Sequence, residues 1–201
     1  DGTLNYAHGF PWYCVSIALE VDAQLQVAVV LDSVHDELFW AQRGKGAWLG
    51  DQRLGVSACA RLDEAMVATG FAYKSEWMDE NIRTFVHMMP RVRAIRRPGA
   101  AALDLASLAA GRLDGFWEIH LNPWDAAAGM LLIEEAGGRV TGPRGEPNQP
   151  GDKTLVASHC VIYRQLPSAP AAGCDSLALR HWTQSAQGLS ATLGRPACLH
   201  T

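Results

Sequence analysis

Pro123-Trp124-Asp125-Ala126-Ala127-Ala128-Gly129 opens the way a helix should. Proline suits a first helical turn, and an early aspartate caps backbone N–H groups that have no helical partner. The small residues that follow let such a helix come close to a strand or a ligand. Capping accounts for Asp125 as well as function does. The functional alternative makes it a cation ligand where a helix start faces an anion. At the other end of the chain, Asp1-Gly2-Thr3-Leu4-Asn5 sets a second carboxylate in a tight turn. Nearby backbone N–H groups favour an anion there, and the Thr3 hydroxyl can orient a water or a phosphate oxygen. Taken alone, Asp-Gly-Thr is more simply a surface Asx-turn.

Working outward from these segments, Trp12 to Val21 reads as a buried strand with Val15, Ile17 and Leu19 on one face. Leu25 to Leu31 and Glu37 to Ala41 continue an antiparallel meander. A short hairpin, Ala47–Leu49 against Arg53–Val56, closes a first block over residues 1–57. From residue 58 the pattern alternates. Strands are expected at Ala65–Thr69, Val92–Ile95, Gly115–Ile119, Arg139–Thr141 and Thr154–Ala157. Helices are expected at Glu76–Met89, Gly99–Ala110 and Trp124–Ala136, the last two closed by glycine. This alternation predicts an α/β layer over 58–166, with a loop at 142–153. A final helix begins at His159–Leu166, and 167–201 is an atypical tail, poorly ordered or loosely attached.

The 201 residues, 48% hydrophobic and 19% charged, suit a soluble globular protein with a real core. A net charge of −4 gives no basic surface for nucleic acid. No apolar run is long enough to span a membrane. Five scattered cysteines without a CxxC pair read as reduced thiols and a cytoplasmic location. The histidines show no metal-ligand spacing. Cys14 is a small apolar filler in a strand. Two further candidates remain. Gly99-Ala100-Ala101 opens a helix whose N–H groups could face a substrate, with Asp104 on that helix as a local hydrogen-bonding residue. Glu118 ends an apolar strand just before Asp125, where a carboxylate could accept from a sugar or cyclitol hydroxyl.

Asp1-Gly2-Thr3-Leu4-Asn5-Tyr6, then His8-Gly9, Pro11 and Val15-Ser16-Ile17-Ala18-Leu19, resembles the metal signature of the inositol monophosphatase family. Trp124-Asp125-Ala126-Ala127-Ala128-Gly129 resembles its second signature. The likeness runs from Asp1 to about Leu166 and is nearest the bacterial inositol-1-monophosphatase-like branch. It implies a layered αβαβα fold and a Mg²⁺-dependent phosphomonoesterase. The family's first segment reads Asp-Pro-(Ile/Leu)-Asp-Gly-Thr-x-Asn, and this sequence begins at the second Asp. The resemblance therefore implies a chain lacking the first metal-binding Asp and an upstream Gly-Glu-Glu segment, with impaired activity. Where the family has Gly-(Ser/Thr)-Ala-Ala, Ala100 replaces the hydroxyl.

By the same resemblance Asp1 and Asp125 share a Mg²⁺, and Asp1 and Thr3 serve catalysis. Gly2, Thr3, Gly99, Ala100, Ala101, Glu118 and Asp125 meet the substrate, with Gly2 and Thr3 N–H groups on phosphate oxygens. The substrate is inositol monophosphate or a similar sugar or polyol phosphate. Histidinol phosphatase, fructose-1,6-bisphosphatase and 3′(2′),5′-bisphosphate nucleotidase activities share these signatures. The implied partner is a small phosphate monoester, without membrane or direct nucleic acid, and a homodimer is admitted. A non-catalytic role, as fragment or as scaffold for a protein partner, is the reading from a different class.

Overall fold

Alternating apolar residues and tight polar turns build the first sheet. The computed structural model of the chain describes residues 1–71 and 77–159. In it β1 (Cys14–Val21), β2 (Gln24–Asp32), β3 (Glu37–Gln42), β4 (Gly46–Leu49) and β5 (Gln52–Arg53) form an antiparallel sheet in chain order. Asp22 and Ala23 turn β1 into β2 at positive φ. The expected hairpin is present but shorter than the sequence indicates, with its return strand confined to two residues.

The second sheet is mixed and has the order β7-β6-β8-β10-β9. It is built from β6 (Met66–Thr69), β7 (Ala94–Arg96), β8 (Gly115–Ile119), β9 (Arg139–Thr141) and β10 (Thr154–Ser158). β6 runs parallel to β7 and β8, while β10 is antiparallel to β8 and β9. Helices α3 (Ala101–Ala109) and α4 (Pro123–Glu135) lie between the sheets. A helix covered on all sides is largely apolar all round, and every residue of α3 is buried, Asp104 and Ser107 included. Gly129 lets α3 and α4 meet: a Cβ there would stand 2.4 Å from Leu105 Cβ. Helix α2 (Met78–Met88) belongs to a smaller cluster in which Met88 and Phe85 meet Val67, Trp117 and Val156 of the second sheet. The result is a layered α/β architecture, as the sequence predicts. The bidentate Arg112–Glu37 pair, at 2.5 and 2.6 Å, fastens the segment after α3 to β3.

One expectation is overturned. Val15, Ile17 and Leu19 do not face the core but are 50%, 60% and 51% exposed. β1 is an end strand, and among the described residues no layer covers the face these side chains present. Cys14 faces the other way and is buried in the main core. Alternation reveals that a strand has two faces, not which one acquires a cover. A second difference is α1 (Thr3–Ala7), one helical turn where the sequence suggests only a turn. The expected helix at 159–166 and the atypical tail from 167 fall outside the described residues, apart from His159. The described residues belong to one compact unit, Asp1–Ala169. Among them no helix is long and apolar enough to cross a membrane.

Candidate active site

Gly2 sets the geometry at the start of the chain. It takes φ 83° ahead of α1, and a Cβ there would lie 2.8 Å from the Trp12 carbonyl oxygen and 2.9 Å from Tyr13 Cα. Only glycine tolerates both the dihedral and the contact. The turn aims Asp1 at α3: Asp1 Oδ2 accepts from Ala102 N–H at 2.8 Å, and Oδ1 accepts from Gly2 N–H at 2.7 Å. The α3 N-cap, Ala100, has no side-chain cap of its own. Asp1 therefore serves as a cap from far away in sequence, where the helix dipole favours a negative charge. Asn5 Nδ2 donates to Trp12 O at 2.7 Å and to Pro98 O at 2.9 Å, binding α1 to the turn before α3. Trp12 Nε1 donates to Asp104 Oδ1 at 3.0 Å, so Asp104 has the local hydrogen-bonding role expected of it. Burial above all pushes the Asp104 carboxyl well above its ordinary range, against the Trp12 hydrogen bond.

Asp125 lies in the first turn of α4. Its Oδ2 accepts from Asn122 N–H at 3.0 Å and from Asn122 Nδ2 at 3.2 Å, a capping box. Its Oδ1 makes no hydrogen bond among the described residues. Ser16 Oγ donates to Trp124 O at 3.4 Å, so β1, which Asp1 leads into, also touches the start of α4. Glu118 points from β8 toward the same region. Burial chiefly, and then the charge of Asp125, raise its carboxyl to about 8, with Arg97 opposing. Glu118 in turn raises Asp104. These mutual fields gather Glu118, Asp125 and the first turn of α3 into one electrostatic neighbourhood. Glu118 lies against Gly70, where an added Cβ would stand 2.2 Å from the carboxylate.

The remaining expected residues divide. Thr3 is exposed in α1, free to meet a ligand. Gly99 takes φ 92° beside Asn5. Ala100 is fully buried and Ala101 nearly so, which leaves at most backbone for a substrate. Gly2 N–H is already engaged by Asp1, contrary to the expectation that it grips phosphate. The reason is that a short turn folds its own carboxylate back onto it. Sequence reasoning misses Arg97, Gly70 and Asn122. Only Arg97 carries a signal, as a cation within the Arg96-Arg97-Pro98-Gly99 run.

Carboxylate oxygens are donors of the kind hard Mg²⁺ takes. A carboxyl raised by desolvation and further by a like-charged neighbour is the strain that a bound cation relieves. Asp1, Asp125 and Glu118 fit such an ion in kind, as part of a ligand set. Among the described residues no group of three or more His, Cys, Asp or Glu side chains is gathered to hold one.

Comparison with known proteins gives the chain its relatives. An inositol-1-monophosphatase of Mesorhizobium japonicum is 42% identical over 167 residues, covering 83% of this chain and 63% of the relative. A Nus factor SuhB of Pseudomonas aeruginosa is 47% identical over 169 residues, covering 83% and 62%. The chain thus spans less than two thirds of these relatives' length. The crystal structure of the suhB protein of Bartonella henselae superposes with a TM-score of 0.81 at 43% identity, covering 86% of this chain and 68% of that one. An inositol monophosphatase structure from Anabaena gives 0.76 at 40%, covering 83% and 66%. The profile of the inositol monophosphatase family matches residues 1–173, and with the two-sheet layering and these relatives it settles the lineage: the chain belongs to the inositol monophosphatase family.

Proposed function

We propose that this chain is the larger part of a Mg²⁺-dependent phosphomonoesterase acting on inositol monophosphate or a similar sugar or polyol phosphate. The observation that carries the reading is that Asp1 caps the start of α3, Asp125 lies in the first turn of α4, and Glu118 feels the charge of Asp125. Family membership and the relatives named inositol-1-monophosphatase support it. Asp1 and Asp125 would hold the Mg²⁺. When bound, Mg²⁺ supplies charge neutralisation and a more acidic water. Thr3, exposed one residue beyond Gly2, orients the attacking water through its hydroxyl. Glu118 accepts a hydroxyl of the substrate and fixes its orientation. The starts of both helices favour the phosphate charge.

The test is phosphate release by the full-length protein with and without Mg²⁺, beside Asp125→Asn. The amide keeps an acceptor oxygen for Asn122, so the α4 cap and the fold survive. Hydrolysis should fall by more than about 100-fold, since a metal's charge stabilisation is worth several kcal/mol. Near-normal turnover by that variant refutes the assignment.

A second reading is a non-catalytic protein that binds a protein partner. It is favoured by the relatives named Nus factor SuhB. Phosphate release from no polyol phosphate, by a folded full-length protein with Mg²⁺, would decide for it.

A further inference from the structure

A cavity of about 460 Å³ opens beside α3, and Asp1, Asp125 and Glu118 take no part in its walls. That volume is within the range of small-molecule sites. Trp12, Met66, Pro98 and Leu113 give it apolar sides, and Asp104 and Ser107 line it from α3. Three residues apart on the helix, those two side chains share one face. They are only 1% and 3% exposed.

The protein does not satisfy this pair. Trp12 Nε1 donates to Asp104 Oδ1, while Asp104 Oδ2 and Ser107 Oγ make no hydrogen bond among the described residues. The unpaired side-chain atoms that are fully sealed are, among the described residues, His120 Nε2 and His159 Nδ1. Asp104 Oδ2 and Ser107 Oγ therefore keep a little open surface, and the cavity they line supplies it. Buried polar groups are normally paired, so the missing partner has to come from a ligand.

The other charges around the cavity close on one another. Glu37 holds Arg112 bidentately, and His35 Nδ1 lies 2.8 Å from Oδ2 of the buried Asp32. Arg96 is exposed and donates to the Ile95 carbonyl at 3.1 Å. What the interior lacks is a cation bonded to Asp104. Burial holds that carboxyl high, against the Trp12 hydrogen bond, and a bonded cation works the other way. With Oδ1 taken by the indole, a guanidinium finds no second oxygen for its fork. A primary ammonium is compact and donates three hydrogen bonds, enough to serve both Oδ2 and Ser107 Oγ. An aromatic ring beside the carboxylate suits an organic cation, and the apolar sides suit an apolar body.

We propose that this cavity binds a small primary amine with an apolar body, its ammonium held by Asp104 Oδ2 and Ser107 Oγ. The site stands independently of the phosphatase reading.

Calorimetric titration of the full-length protein, in buffer with Mg²⁺ near neutral pH, compares cyclohexylamine hydrochloride with its neutral counterpart cyclohexanol. The amine should bind saturably and at least about tenfold tighter than the alcohol, the scale of a hydrogen bond to a charged group. Asp104→Asn keeps an acceptor for Trp12 and removes the charge. It should weaken amine binding about 10- to 100-fold and leave the alcohol within about threefold. Ser107→Ala should weaken amine binding by about three- to tenfold. Circular dichroism checks that the variants fold, and if Asp104→Asn does not, Ser107→Ala decides in its place. Tighter binding of cyclohexanecarboxylate than of the amine assigns the cavity to anions and overturns the proposal. So do the lack of saturable amine binding and equal affinities for amine and alcohol. Amine affinity within about twofold of normal in the deciding variant overturns it as well.

Discussion

Glu118 makes folding stability depend on pH in a direction opposite to that of an ordinary surface carboxylate. Its folded-state value is raised from 4.5 to about 8, first by burial and then by Asp125. Between those two values the folded chain holds a proton that the unfolded chain has released. Stability is therefore fully present below the unfolded value and is lost as pH rises toward the folded one. Each tenfold change in proton affinity corresponds to about 1.4 kcal/mol, so the ceiling is roughly 5 kcal/mol. Glu118 is only partly buried, and water reaching the carboxylate reduces the effect to about 2–3 kcal/mol. Glu118→Gln removes the ionisation while keeping the shape. The assay is urea unfolding in the presence of a chelator at about pH 5.5 and about pH 8.5, on either side of most of the interval. The unsubstituted chain should lose about 2–3 kcal/mol more than Glu118→Gln over that range. Parallel stability profiles for the two proteins would show that Glu118 is not held in the environment described, and the electrostatic account of the site would fail with it.

Two further predictions concern the supporting structure. Gly129→Val forces a side chain into the 2.4 Å gap before Leu105; it should destabilise by about 1–3 kcal/mol, seen as a lower urea midpoint, and an unchanged midpoint would mean that α3 and α4 do not approach so closely. Trp12→Phe deprives the buried Asp104 of its indole donor and should cost about 1–3 kcal/mol, while Asp104→Asn in that background should recover part of the loss by removing the group's ionisation; additive losses from the two substitutions would contradict the pairing.

The α/β layering was legible because it rests on local rules. Alternation marks β2 and β3, and glycine stops close α3 and α4. The carboxylates at Asp1 and Asp125 were legible as candidates because turn chemistry and helix capping are written in neighbouring residues. What each does in the fold was less so. Asp1 has two explanations in sequence, and the structure adds a third, capping a helix that begins a hundred residues later. Gly2 N–H, expected to be available to phosphate, is taken by the same carboxylate.

By itself the sequence determined most of the strands and helices, though not α1 or the length of the β4–β5 hairpin, and which side chains are acidic at a turn. It did so because propensity, capping and periodicity act over a few residues. Tertiary structure alone decided that Val15, Ile17 and Leu19 are exposed, that Glu118 shares a field with Asp125, and that Arg97 stands over Phe71. Burial, electrostatic field and stacking depend on which distant surfaces meet, and no local pattern carries that information.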